Sequence, residues 1–230
     1  IPCSDMSRHF PAFTPIAEHS LLVEFGDAIE DAIHARVLDL DRALAEVPFA
    51  GFLEAVPSYA ALLIRFDPLL TDHTMAETAT RKLMHHARPP SAGRTHEVQV
   101  CYDADLAPDL AAVAEQAGVT PDAVIAAHLS GRYQVYMYGF APGYAYLAGV
   151  PQPIRLPRKP AARRDVPAGS VLIAGAQCLV STLTMPTGWW IIGRSPSRIL
   201  TSDPQRPFLF DVGDNVQFRR ISRAELEAQP

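Results

Sequence analysis

The chain has 230 residues, 48% of them hydrophobic, which supports one large core or two modest ones and excludes a wholly disordered protein. Its 20 basic and 25 acidic side chains give a net charge of −5 with no long basic block, so the electrostatic footprint of a nucleic-acid binder is missing. No run reaches the roughly 18 apolar residues of a membrane span, and Ile1-Pro2-Cys3-Ser4-Asp5 lack the apolar core of a signal peptide. Three scattered cysteines, Cys3, Cys101 and Cys178, suit neither a disulfide framework nor a zinc site, and the expected compartment is the reducing cytoplasm.

In chain order, Ser20 to Phe25 reads as a strand, and Gly26-Asp27 leads into a helix from Ala28 with Asp27 and Glu30 as a capping box. Ile29, Ile33, Val37, Leu40, Leu44 and Val47 recur at spacings of three and four, which buries one face and leaves Glu30, Arg36 and Asp41 in water. Gly51 to Val56 and Ala60 to Phe66 read as strands around Pro57-Ser58-Tyr59, followed by a helix capped by Thr74 and Glu77. The alternating His96 to Cys101 run then completes a βαββαβ order, which predicts a ferredoxin-like α/β sandwich.

A helical insert follows. One helix carries Leu110, Val113, Ala114 and Ala117 and stops at Gly118; a second opens on Thr120-Pro121 and ends between His128 and Gly131. From Tyr133 onward short β-prone runs are broken by glycine and proline, at 133–138, 171–174, 190–192, 198–200, 208–210 and 216–221, a pattern that predicts a compact β-barrel. The expected organisation is therefore α+β, with an N-terminal α/β domain over residues 1–95 and a barrel domain with its helical insert over residues 96–230.

The chemistry concentrates between Tyr138 and Arg194. Gly139-Phe140-Ala141-Pro142-Gly143-Tyr144-Ala145-Tyr146-Leu147 has no lysine and no long helix after it, so it is neither a phosphate-binding loop nor a dinucleotide fingerprint. It reads either as an aromatic-anchored turn or as a backbone cradle beside a ligand. Arg158, Arg163, Arg164 and Arg194, with Lys159, are the candidates for an anion site, Arg164 and Lys159 reading more as solvated side chains. Gln177 suits amide recognition or a turn hydrogen bond, and His128 suits a helix terminus or a proton-transfer role. Of the adjacent Trp189 and Trp190, only one can point inward from a regular strand. His85-His86, Ser170 and Cys101 lack the spacing of a metal site, a nucleophile elbow and a reactive thiol respectively, and no metal is expected.

Several ordered motifs carry a resemblance: Val56-Pro57-Ser58-Tyr59, Phe66-Asp67-Pro68, Pro108-Asp109-Leu110, His128, the Gly139 to Leu147 run, Val166-Pro167-Ala168-Gly169-Ser170-Val171, Gly188-Trp189, Gly193-Arg194-Ser195-Pro196 and Gly213-Asp214. Together they resemble the family of the bacterial 5-oxoprolinase B components, the allophanate hydrolase subunit 1-like proteins and the kinase inhibitor KipI. The resemblance implies an N-terminal α/β domain, a C-terminal cyclophilin-like β-barrel, and a paralogous partner of the 5-oxoprolinase C-component or allophanate hydrolase subunit 2-like type, with a third protein in the 5-oxoprolinase branch. That branch couples ATP hydrolysis, with Mg as the nucleotide's counterion, to opening of the 5-oxoproline lactam.

The resemblance further implies catalytic roles for His128, Arg158 and Arg194, and substrate or nucleotide contacts for Gly139, Phe140, Pro142, Gly143, Tyr146, Arg163 and Gln177. The alternatives it carries are half of a biotin-dependent urea-type carboxyltransferase, with biotin supplied by another protein because this chain lacks an Ala-Met-Lys-Met motif, and a non-enzymatic histidine-kinase inhibitor. The chain departs from the family's common pattern at Gln177 to Thr182, where a tyrosine is missing, at Pro186-Thr187-Gly188-Trp189, where a glycine is missing, and at Ala162.

Overall fold

A computed structural model describes residues 9–84 and 93–229; Cys3 and His85-His86 lie outside the described residues. The chain divides into two compact units, Ile1–Ser91 and Ala92–Pro230. The first holds β1 (Ala12–Ile16), β2 (Ser20–Glu24), α1 (Asp31–Glu46), β3 (Phe52–Pro57), β4 (Ala61–Phe66) and α2 (His73–Met84). Its antiparallel sheet has the order β1-β2-β4-β3. Alternation on β2 and β4 aims Leu21, Val23, Leu62, Ile64 and Phe66 at Val37, Leu40 and Leu44 of α1 and Ala76 of α2.

This topology corrects the ferredoxin-like expectation at its last strand. The fourth strand of the sheet is β1, which pairs with β2 through the tight connection at 17–19, whereas β5 (Thr95–Val100) belongs to the second unit. The helix starts also differ. α1 begins at Asp31 with Glu30 as an N-cap that makes no side-chain bond, so Asp27 caps nothing. In α2 the cap is Asp72, whose carboxylate accepts from Met75 N at 2.8 Å, in place of Thr74. Ile29 and Val47 lie beyond the ends of α1 and are exposed, while Asp41, expected in water, is half-buried, and desolvation raises its pKa to about 6.

The second unit adds α3 (Leu110–Ala117), α4 (Pro121–Ser130), β6 (Tyr133–Tyr138), β7 (Ala145–Ala148), β8 (Arg163–Val166), β9 (Ser170–Ala174), β10 (Gln177–Val180), β11 (Met185–Thr187), β12 (Trp190–Arg194), β13 (Asn215–Arg220) and α5 (Arg223–Glu227). The local signals at α3 and α4 hold: Gly118 is left-handed at φ 67°, and Thr120 Oγ1 accepts from Ala123 N at 3.2 Å ahead of Pro121. Seven strands form one curled sheet in the order β12-β9-β10-β7-β6-β13-β5. The expected strands at 198–200 and 208–210 reduce to a single bridge, Leu200 with Phe208.

The sheet nearly closes. At the seam Cys101, just past β5, exchanges two backbone hydrogen bonds with Arg194 at the end of β12, at 2.8 and 2.9 Å. Gly193 makes the approach possible, because a Cβ there would lie 2.6 Å from Val100 Cγ1 and 3.0 Å from Cys101 O. A bulge precedes it, since Ile191 pairs with Leu172 but Gly193 pairs with Val171. Inside, Val98, Val100, Tyr133, Val135, Leu147, Val171, Ile173, Cys178 and Ile192 pack with the apolar faces of α3 and α4.

Two carboxylates pin loops to this barrel. Asp109 Oδ2 accepts from Ile191 N at 2.8 Å and pairs with Lys159 Nζ at 2.6 Å; the Lys159 side chain is only 12% exposed, so it is not the solvated residue expected. Asp214 accepts from Arg94 N, Asp211 N and His96 Nε2 at 2.7–2.9 Å, which gives the Gly213-Asp214 motif its structural reason.

His128 sits in the same interior. It is fully buried, with Nδ1 2.7 Å from Tyr102 Oη and Nε2 3.6 Å from Cys178 Sγ, and its ring centroid lies 4.4 Å from that of Phe218. Burial alone lowers its pKa to about 3.

Both tryptophans lie in this unit, so their fluorescence reports its unfolding. Gly193→Ala is expected to destabilise it by about 2 kcal/mol, in the range of overpacking, read from the urea midpoint. The His128 imidazole stays neutral in the folded state down to about pH 3 while the unfolded state binds a proton from about pH 6.5. Stability is therefore lost as pH falls through that window. Between pH 6.5 and 5 the loss attributable to His128 approaches about 1.4 kcal/mol per pH unit, and His128→Gln flattens the wild-type slope by that amount; equal slopes in the two proteins would refute the assignment.

Candidate functional site

The site is built where three irregular segments of the second unit meet. The first is the aromatic loop between β6 and β7. It folds on itself through Gly139 N→Tyr144 O, Ala141 N→Gly139 O and Tyr144 N→Ala141 O, with Phe140 at φ 68° and 72% exposed. Gly143 sits at φ 74°, and a Cβ there would come within 2.8 Å of Leu200 Cδ2 and 3.0 Å of Thr182 Cγ2. Thr182 Oγ1 donates to Pro142 O at 2.6 Å. The loop is thereby fastened to the 181–182 corner and to the 195–200 segment.

Between these segments and the turn before β9 lies a cleft of about 220 Å³, lined by Ala168, Gly169, Ser181, Thr182 and residues 195–200. Its walls are rigid for polar reasons. Ser181 Oγ donates to Pro167 O and accepts from Ser170 N, Ser170 Oγ also donates to Pro167 O, Gly169 N reaches Ser181 O at 2.6 Å, and Ser195 N reaches Gly169 O at 2.7 Å. The Ser170 hydroxyl is thus committed to a turn.

Arg194 lies against the wall formed by Ala168 and Gly169. It donates Nη1 to Ala168 O at 3.2 Å, its Cδ is 3.2 Å from where a Gly169 Cβ would stand, and its buried Nε has no hydrogen-bond partner. Desolvation lowers its pKa, a cost that an anion beside the guanidinium would offset.

Of the residues singled out by sequence, Gly139, Phe140, Pro142 and Gly143 form a loop that does not line this cleft but is held to one of its lining residues, Thr182, through Pro142 O, and Arg194 lies against the cleft's wall at Ala168. Tyr146 and Arg158 gather elsewhere, around Trp189: the Tyr146 ring stands edge-on to the indole at 5.8 Å, and the Arg158 guanidinium lies 5.7 Å from it. Trp189 belongs to an apolar layer with Tyr144, Leu172, Leu179 and Ile191, while Trp190, the first residue of β12, joins the barrel interior, so the two adjacent indoles go to different apolar clusters and both are buried. Arg163 is exposed on β8 opposite Thr187, beside the exposed Arg164. Gln177 is half-buried in β10 between Ala148 and Ala174, and His128 is enclosed in the barrel core with no exposed surface.

The hydroxyls of Ser181, Thr182, Ser195 and Ser197, and Arg198, went unnoticed as site residues. Only the run after Gly193-Arg194 hinted at them, because serine and threonine from separated segments carry no periodic signal. Among the described residues no cluster of three or more His, Cys, Asp or Glu side chains is placed to hold a metal ion, and no helix is long and apolar enough to cross a membrane.

Comparison with known proteins gives the site a family. The model of the carboxyltransferase domain, subdomain C and D, matches residues 11–210. The B component of 5-oxoprolinase from Bacillus subtilis is 32% identical over 225 residues, covering 93% of this chain and 94% of the relative. The corresponding component from Escherichia coli O157:H7 is 31% identical over 207 residues, 88% of this chain and 93% of the relative. Among solved structures, TTHA0988 superposes with a TM-score of 0.79 at 33% identity over 93% of this chain, which spans only 41% of that longer polypeptide. The Kluyveromyces lactis urea amidolyase shares the fold at a TM-score of 0.71 and 17% identity, over 91% of this chain and 15% of that one. The chain belongs to the carboxyltransferase-domain family, subdomain C and D, alongside the B components of bacterial 5-oxoprolinase.

Proposed function

We propose that this chain is the B-type component of an ATP-dependent 5-oxoprolinase, acting with a C-type paralogue and a third protein to open the lactam of 5-oxoproline to glutamate. Similarity over nearly the whole length of a 5-oxoprolinase B component carries the reading. In this reading the nearly closed sheet is a cyclophilin-like barrel and the first unit a ferredoxin-like variant whose fourth strand comes from β1.

The chemistry explains the need for a nucleotide. A lactam carbonyl is a poor electrophile. Its oxygen takes the γ-phosphoryl group of ATP, releasing ADP; water adds to the activated carbon, the C–N bond breaks to give the amine and an acyl phosphate, and a second water releases phosphate. Negative charge grows on the transferring oxygens, so fixed cations are the protein's main contribution. Arg194 at the cleft is assigned to phosphoryl or carboxylate charge, with Arg158 and Arg163 as further cations, and the backbone at 139–143 orients the amide. His128 is enclosed, so its part is to hold α4 to Tyr102 and to Cys178 of β10. Magnesium accompanies the nucleotide.

A second reading draws on the family's carboxyltransferase name: half of an enzyme that moves a carboxyl group from biotin, held by another protein, to urea or a related amide. Co-expression with the neighbouring paralogue and third protein, followed by measurement of 5-oxoproline-dependent ATP turnover and glutamate, separates the two. A well-formed complex with no such turnover, but with urea-dependent carboxyl transfer, sinks the first. In an active complex Arg194→Ala is expected to lower turnover at least 10-fold, about 1.4 kcal/mol, with the tryptophan-monitored unfolding midpoint checked in parallel because the Arg194 backbone also closes the barrel.

A further inference from the structure

We propose that the apolar corner of the first unit at Leu69 and Leu70 docks the C-type paralogue, which meets it with an apolar groove flanked by lysine or arginine. That this partner exists rests on the proposed function; the chemistry of the contact comes from the corner itself. After β4 the chain makes one tight turn, closed by Leu70 N and Thr71 N on Asp67 O at 3.0 and 3.1 Å. The turn is seated on the start of β3: Asp67 N donates to Gly51 O at 2.8 Å, and Leu70 Cβ lies 3.1 Å from where a Gly51 Cβ would stand. Its shape is fixed, yet it turns two leucines outward, Leu69 90% and Leu70 63% exposed. Leu53, at the bulge of the edge strand β3, and Met75, in the first turn of α2, are exposed as well. Single exposed leucines are ordinary, but adjacent ones held on a fixed turn mark a surface that a partner covers. A side chain bare to that degree projects from the surface, so its complement is a groove.

Charge selects what flanks the groove. From Gly51 to Met75 the chain has one lysine or arginine, Arg65, and it is paired with Glu54. Asp67 and Asp72 bracket the two leucines in the chain and make no ion pair among the described residues. Each spends one oxygen on the local backbone, Asp67 Oδ1 on Leu69 N at 2.9 Å and Asp72 Oδ1 on Met75 N at 2.8 Å. Cations opposite these carboxylates complement them. A second copy of this chain is a poor occupant, because a twofold contact here sets the carboxylates of the two chains against one another. An anionic membrane meets the same repulsion. A permanent neighbour accounts for the apolar surface, since obligate interfaces are more apolar than free surface. TTHA0988 holds the counterpart of this chain as 41% of one polypeptide, so there the remainder stays attached to it.

The test is co-expression of the full chain with the C-type paralogue, followed by titration of the purified proteins by calorimetry. Leu69→Ser with Leu70→Ser is expected to weaken the complex about tenfold or more. Its unfolding midpoint, followed by far-ultraviolet circular dichroism because both tryptophans lie in the second unit, should not fall. Asp67→Asn with Asp72→Asn keeps an oxygen acceptor at both positions; it should weaken the complex about threefold at low salt and flatten its salt dependence. Undiminished binding in the leucine variant, unchanged salt dependence in the asparagine variant, or no complex with the wild-type chain would each overturn the proposal. So would self-association of the wild-type chain that the leucine variant abolishes, seen by sedimentation, or leucine-dependent binding to equimolar phosphatidylcholine and phosphatidylglycerol vesicles. Leucine-dependent assembly that shows no 5-oxoproline-dependent turnover with the third protein present upholds the docking surface and removes the 5-oxoprolinase reading. Full assembly and turnover with the leucine variant does the reverse.

Discussion

The second unit depends on one short contact between strand ends, the two hydrogen bonds that join Cys101 to Arg194. A curled seven-stranded sheet has two free edges, each with a row of unpaired amides and carbonyls. Here the edges meet at a single bridge, and the meeting is allowed only because residue 193 has no side chain. The same residue that supplies the bridge carries its guanidinium to the turn at Ala168, so closure of the barrel and placement of the site's cation are one event. Displacing the β12 end by an ångström would move both.

The polar groups around this seam are arranged to be satisfied within the protein. Asp109 ties the start of α3 to β12 and to Lys159, and Asp214 gathers Arg94, Asp211 and His96 beside β13 and β5. Each replaces several backbone partners with one carboxylate, which fixes irregular chain without regular secondary structure. The serines beneath the cleft act in the same way. Against this background, the orphaned Nε of Arg194 stands out as a polar atom that the fold does not satisfy.

Local structure was legible in the sequence wherever one short-range rule governs it. Gly118 had to end a helix and Thr120-Pro121 had to begin one, and both do. The apolar repeat from Val37 to Leu44 faces the core as its spacing requires. Pairing between distant segments was not legible. Thr95–Val100 alternates like any half-buried strand, and nothing in its residues says that its partner is β13 and not β2. β8 and β11 escaped notice because Arg163, Arg164 and Pro186 are poor strand formers on a two-stranded ribbon, and β10 because its burial on both faces removes the alternation. The site divides the same way. The glycine-rich loop and Arg194 announced themselves by composition, whereas the hydroxyls lining the cleft are ordinary until folding brings 181–182 beside 195–200. His128 shows the opposite error: a residue type rich in chemical meaning, placed where the core needs an aromatic ring that can hydrogen-bond at both ends.

The parallel pairing of β5 with β13 has a consequence for the newborn chain. β5 is the first strand of its unit to leave the ribosome and β13 the last, with six registered residue pairs between segments more than a hundred residues apart. Until residue 220 emerges, Thr95–Val100 waits with its β13-facing edge bare, and the other strands can form hairpins but not an enclosed core. The first unit, whose strand pairs lie within a much shorter stretch, is complete long before. Synthesis therefore proceeds with a finished N-terminal unit tethered to an unfinished barrel, and the interval before the last strand arrives is when this protein has most need of a chaperone.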